Sequence, residues 1–378
     1  MKNLTRLKDS RAVRRTASAV AVAVAVAVAG GIVGAGNAAP ASKAGKAAHV
    51  LKKTEQLKAP KLEDGVLTVK GTNGSDQIAL RLQARQPGIL DVDLDDDGTA
   101  DFSFGRVEVA KIAVDAGNGD DFVRIDESNG VFGDTIPTTI EGGNGNDTLA
   151  GGAGAGTLSG GNGDDKLVGG SGAETLLGGN GNDSIDGNKG NDVAFMGNGD
   201  DTFVWDPGDG SDIVEGQNGD DTMVFNGAGV AEQVTLSANG DRLKLFRDVA
   251  NITMDTDGVE RVDFNALGGA DLVTINDLSA TDVTSVNVDL AGALGGVTGD
   301  GAADRVVVNA TNGNDTIAVA GDAGGVNVTG LAATVRVLHS EAANDRLEID
   351  TLAGTDTVNS AGLAAGVIQL FVNGALVP

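Results

Sequence analysis

Residues 142–204 read in blocks of nine: GGNGNDTLA (142–150), GGAGAGTLS (151–159), GGNGDDKLV (160–168), GGSGAETLL (169–177), GGNGNDSID (178–186), GNKGNDVAF (187–195) and MGNGDDTFV (196–204). The eighth position is apolar throughout: Leu149, Leu158, Leu167, Leu176, Ile185, Ala194 and Phe203. Successive side chains of a strand point to opposite faces. The last three residues of each block therefore read as a short strand with its middle residue inward. The other six read as a turn, where glycine supplies positive φ and lets coils approach closely. Two blocks make one coil of 18 residues, which stacks equivalent turns at the inter-strand spacing of about 4.8 Å. The expected fold is all-β, a parallel β-roll or β-solenoid.

The two edges of such a roll differ. Every second block gives Asp147, Asp165, Asp183 and Asp201, spaced by 18 without a break. The alternate blocks give Gly156, Glu174 and Asp192. One edge reads as a full carboxylate ladder and the other as a degenerate one. Neighbouring carboxylates about 5 Å apart repel by roughly 3 kcal/mol at an effective dielectric near 20. A hard cation between successive turns removes that cost. Ca²⁺ takes 6–8 oxygens in flexible geometry, whereas Mg²⁺ demands a tight octahedron and keeps its waters.

The seven blocks resemble the RTX (repeats-in-toxin, hemolysin-type) family, whose repeat G-G-x-G-x-D-x-U-x binds calcium. The resemblance implies a parallel β-roll with Ca²⁺ in the turns. Asp147, Asp165, Asp183, Asp201, Asp221 and Asp192 are the metal ligands it points to. RTX proteins usually leave the cell by a one-step route read at the C-terminus, and their repeats often trail an enzyme domain. Here about 80 residues precede the repeats once the leader and linker are set aside.

Echoes of the turn lie outside the blocks. Asp221 follows Asp201 by 20 residues and Asp212 follows Asp192 by 20, so both edges are expected to continue after small insertions. Turns ending at Asp76, Asp121, Asp315, Asp271, Asp345 and Asp356 are expected to be solenoid turns without a stacked neighbour at the right spacing. A separate feature is Asp93, Asp95 and Asp97 before Gly98, with Asp101 after it. These match positions 1, 3, 5, 6 and 9 of an EF-hand-type loop. Phe104 stands where the bidentate Glu belongs, and strand-like flanks (Ile89–Leu94, Phe102–Val109) leave an acidic hairpin turn as the other reading. Beyond residue 227, short alternating runs recur, among them Val262–Phe264, Leu272–Ile275, Val306–Val308 and Leu347–Ile349. They read as a solenoid of longer coils, with a sandwich as the second choice.

Composition narrows the function. Glycine is 59 of 378 residues, with one Trp, ten Phe and no Tyr, so the core must be thin and built from Val, Leu, Ile and Ala. No Cys is present, which excludes disulfides and thiolate chemistry. The only histidines are His49 and His339. There is no G-x-S-x-G elbow and no H-E-x-x-H helix, and the expectation is a protein that is not an enzyme. After position 61 the chain holds 52 acids against 15 basic residues. So acidic a body repels nucleic acid and anionic lipid.

The start of the chain has the opposite charge. Arg and Lys residues up to Arg15 precede an Ala/Val run to Val33, then small residues to Ala38. This is the pattern of a secretory signal peptide. Arg14-Arg15 lacks the apolar pair that usually follows a twin-arginine signal. The run is short for a membrane span, and no transmembrane segment is expected in the mature chain. The organisation reads as signal peptide 1–38, basic linker 39–61, N-terminal β segment 62–141, calcium-binding β-roll 142–226 and C-terminal β-solenoid 227–378. The functional reading is an exported, extracellular or surface-associated calcium-binding protein with a structural or adhesive role. Its protein or glycan partner is not named by the sequence. The alternative is a secreted polysaccharide-active enzyme of the solenoid type. A cleft gathering two carboxylates with a Lys or Arg would favour that alternative, and none is apparent in sequence order.

Overall fold

The structure is a computed structural model that describes residues 58–378. The expected signal peptide, most of the linker and His49 lie outside the described residues. Two sheets, of 16 and 15 strands, run the length of the molecule and enclose one apolar core. Within the nonapeptide array each coil places one strand in each sheet. Gly156–Asn162, Thr175–Asn180, Val193–Asn198 and Ile213–Asn218 lie side by side in the first sheet, all parallel. Thr148–Ala150, Lys166–Val168, Ser184–Asp186 and Thr202–Trp205 do the same in the second. The register is the 18-residue coil: Leu158 opposes Leu176, and Leu167 opposes Ile185. The inward residues of all seven blocks are at most 1 % exposed.

The strands of the first sheet are longer than the three residues expected. They continue through the glycines to the Asn of the next turn, because Gly161 pairs with Gly179 and Asn162 with Asn180. There the asparagine side chains bond from coil to coil. Asn162 Nδ2 donates to Asn144 Oδ1 (2.8 Å), Asn180 to Asn162 (2.7 Å) and Asn198 to Asn180 (2.8 Å). Asn118 and Asn218 extend this ladder at its two ends. The stacking leaves no room for a side chain at some glycines. Gly179 has φ +124°, and a methyl group there would overlap the carbonyl of Gly161.

The turns expected to stand alone do stack. Asp76 lies under Asp121, and Asp121 under Asp147, in one continuous row. The 26-residue offset to Asp147 is taken up by an excursion after Phe122–Asp126 that buries Phe132 and Ile136. The 45-residue offset from Asp76 is taken up by the hairpin Gln86–Asp93/Phe102–Gly105, which adds two antiparallel strands to the end of the second sheet. The second strand of that hairpin stops at Gly105, short of the expected Val109, and gives way to a 3-10 turn at Arg106–Glu108.

The C-terminal half is solenoid, not sandwich. The expected runs are strands within one or two residues of their bounds, including Arg261–Asn265, Leu272–Ile275, Arg305–Asn309 and Arg346–Asp350. The first sheet also holds an unforeseen antiparallel meander, Gln233–Asn239, Arg242–Arg247 and Ile252–Asp257. The core is mostly aliphatic as expected, Phe132 and Phe203 are also fully buried in it, and at one place aromatic rings stack from coil to coil. Trp205, Phe225 and Phe264 occupy equivalent positions of consecutive coils. Trp205 and Phe225 stack in parallel with centroids 4.1 Å apart, and Phe264 lies 6.1 Å from Phe225.

Candidate metal centre

The turns from the first sheet to the second bring Asp121, Asp147, Asp165, Asp183, Asp201 and Asp221 into one row, each at most 2 % exposed. The backbone N–H of each acid donates to Oδ1 of the acid one coil later. The bonds are 2.7 Å from Asp147 to Asp165, 2.8 Å from Asp165 to Asp183 and 2.6 Å from Asp183 to Asp201. Asp201 donates to Asp221 (2.9 Å), and Asp221 to Glu260 Oε2 (2.8 Å). One oxygen of each carboxylate is therefore fixed by the neighbouring coil.

The other oxygen has nothing. Among the described residues, twelve buried side-chain oxygens lack a hydrogen-bond partner, and ten belong to acids at turns of this kind. At Gly142, Gly160, Gly178 and Gly187 the glycine that opens the block makes the space in front of that oxygen. A methyl group on Gly160 would overlap Asp165 Oδ2 and lie 2.7 Å from the Gly178 carbonyl oxygen. On Gly142 it would overlap Asp147 Oδ2 and lie 2.8 Å from the Gly160 carbonyl. A carboxylate oxygen of one coil and a carbonyl oxygen of the next thus face one small space. An all-oxygen donor set with buried charge is what a hard cation requires.

The electrostatics agree. Burial pushes Asp147, Asp165 and Asp221 up to about 7 and Asp183 up to about 8, against the holding effect of the amide donors. Asp201 is pushed up to about 6 for the same reason. Without a cation the charged form of each is disfavoured relative to an exposed carboxylate.

The opposite edge is fuller than its sequence suggests. Glu174 N–H donates to Asp192 Oδ1 (2.7 Å), and Asp192 N–H to Asp212 Oδ1 (2.8 Å). Glu174 Oε1, Asp192 Oδ2 and Asp212 Oδ2 are buried without a partner. Burial raises Glu174 and Asp212 to about 7 and Asp192 to about 8. Where Gly156 offers no carboxylate, Glu127 reaches in from the preceding coil. Its Oε2 accepts from Ala153 N–H (2.8 Å), a role its sequence position does not signal.

Not every turn acid is left wanting. Asp76 and Asp315 each accept from the N–H and hydroxyl of a threonine four residues earlier, Thr72 and Thr311. A further row, Glu232, Asp271, Asp304 and Asp345, runs along the C-terminal solenoid. It opens on a buried ion pair between Glu232 and Arg247.

Of the EF-hand-like set, Asp93 and Asp95 come together with Asp101, and Asp97 does not. Asp97 Oδ1 accepts from Thr99 N–H (2.7 Å), closing a short local turn instead.

One groove of about 510 Å³ lies on the outer face of the second sheet, lined by Arg261, Asp263, Asn287, Asp289 and Arg336 among others. Two carboxylates and two guanidinium groups do meet there, contrary to the expectation from sequence order. Each carboxylate is engaged: Arg261 forks Asp263 (2.7 Å twice), and His339 Nδ1 lies 2.6 Å from Asp289 Oδ1. No helix among the described residues is long and apolar enough to cross a membrane.

The family model of the RTX calcium-binding nonapeptide repeat matches residues 141–173, 168–203 and 208–227. No curated protein matches the chain.

Proposed function

We propose that, in this chain whose residues 141–203 and 208–227 match the RTX calcium-binding nonapeptide repeat, ions stacked along both edges complete the fold of an exported protein with a structural, adhesive or surface-associated role. The observation that carries this reading is the row of buried carboxylate oxygens without partners. On one edge Asp121, Asp147, Asp165, Asp183, Asp201 and Asp221 would hold the ions, and on the other Glu174, Asp192 and Asp212. Bound calcium supplies the positive charge that these acids lack. Export is supported by the leader-like first 38 residues, and cation binding by the acidity of the chain after position 61.

Calcium titration of single variants tests the assignment. Asp165→Ala and Asp147→Ala are expected to lower the bound calcium alike, because Asp121 gives Asp147 a neighbour on each side. Glu174→Ala is expected to lower it as well, and Asp315→Ala, whose carboxylate a threonine already serves, to leave it unchanged. An unchanged count in Glu174→Ala would confine calcium to the first edge.

The groove favours a second reading, a surface that acts on or holds a glycan. Engaged carboxylates suit holding better than proton transfer. Incubation with acidic and neutral polysaccharides separates the two: release of reducing ends, lost in Asp289→Asn, would establish cleavage, and retention without release would establish binding.

A further inference from the structure

The hairpin Gln86–Asp93/Phe102–Gly105 finishes one end of the second sheet, and Phe102–Gly105 is the outermost strand there. Nothing in its loop belongs to the nonapeptide array. The loop crowds Asp93, Asp95, Asp96, Asp97 and Asp101 into nine residues. Two arginines from neighbouring strands neutralise part of this charge. Arg124 forks Asp96 (2.8 and 2.7 Å), and Arg81 takes Asp93 Oδ2 (2.5 Å). Asp97 is spent on Thr99.

What remains is a set of three. One carboxylate oxygen each from Asp93, Asp95 and Asp101 lie within 4.8 Å of one another. Asp93 is fully buried, and its Oδ1 has no partner. A buried anionic oxygen left unpaired is costly, and two further carboxylates beside it make the position worse unless a cation sits among them. The Asp95 and Asp101 side of the set is open to solvent, so an ion can enter.

We propose that the loop Asp93–Asp101 is a calcium site separate from the repeat array, with Asp93, Asp95 and Asp101 as its carboxylate ligands, and that the ion locks the hairpin closing this end of the second sheet. The donors are all oxygen, which fits a hard cation. They come from an irregular loop with one fixed member and two exposed ones, which suits calcium better than the rigid octahedron of magnesium. The site owes nothing to the turn ladders, so it stands or falls apart from them.

The test uses the full chain, stripped with chelator and titrated with calcium. The double variant Asp95→Asn/Asp101→Asn changes only exposed side chains, and Asn can still accept the Leu94 N–H bond that Asp101 makes. It is expected to bind one calcium fewer per chain than the unmodified protein. Amide protection that calcium induces in residues 86–105 is expected to vanish in the variant, while the calcium response of Trp205 fluorescence, which reports the roll, stays as it was. An unchanged calcium count in the double variant overturns the site. Equal protection of 86–105 by magnesium alone overturns its assignment to calcium. Asp165→Asn, measured beside it, reports on the array: loss there without loss in the double variant sinks this inference alone, and the converse sinks only the array.

Discussion

In chelator, the melting temperature of the roll is expected to fall as pH rises from about 5 to about 8, and millimolar calcium is expected to abolish that fall. The cause is the set of buried turn acids. Burial raises Asp165 to about 7 and Asp183 and Asp192 to about 8 in the folded chain, whereas an unfolded Asp titrates near 3.9. The metal-free fold therefore binds protons more tightly than the unfolded chain. Its stability from these groups is fully present below about pH 4 and is lost as pH climbs through the raised values. Calcium acts with the opposite sign. Its ligands must be deprotonated, so its hold strengthens as pH rises. Each ion bound only by the native state adds about 2.7 kcal/mol at a hundredfold excess over its Kd, and several ions make the effect at pH 8 large. Scans at several pH values, with chelator and with calcium, check the result. A melting temperature equal in both at pH 8 would mean that the buried oxygens do not hold metal.

Phe225→Ala is expected to cost about 3–5 kcal/mol, as truncation of a fully buried aromatic does. The ring lies between Trp205 and Phe264 in three consecutive coils. Each coil of a solenoid contacts only its neighbours, so damage in the middle weakens the coupling between the two halves. Denaturant unfolding in saturating calcium should show a lowered midpoint, and Trp205 emission should shift to the red as its stacked partner disappears. A midpoint within about 1 kcal/mol of the unmodified protein would mean that the coil relaxes to fill the space.

The nonapeptide array was legible because its period is constant. Once two blocks make a coil, the inward residues from Leu149 to Phe203 and the row from Asp147 to Asp201 follow from strand geometry alone. The rest was hidden wherever a coil carries an insertion. Asp76, Asp121 and Asp147 are adjacent in space, but their offsets of 45 and 26 residues conceal it, since only the fold shows which residues the hairpin and the Phe132 excursion remove from the count. The second edge was underrated because Gly156 broke its pattern, and Glu127 serves that turn from another coil. Asp97 matched a motif position, yet a single local bond to Thr99 turns its carboxylate away. The groove joins Arg261 and Arg336 across the strand Ser285–Asp289, an adjacency that only the sheet order reveals.

The asparagine ladder has a bearing on how the protein ages. Asn144, Asn162, Asn180, Asn198 and Asn218 are each followed by glycine, the pair in which the glycine nitrogen most readily attacks the side-chain amide, closing a ring and releasing ammonia. In the stacked coils the first four of those glycine N–H groups donate to the asparagine carbonyl of the next coil, at 2.8 to 3.0 Å. The asparagine amides are held by their neighbours as well. Nucleophile and target are both tied down while the coils are stacked, and both are released when they part. Every interval spent unstacked then exposes a row of slow chemical clocks, and each one that runs leaves a permanent extra negative charge on an edge already crowded with them.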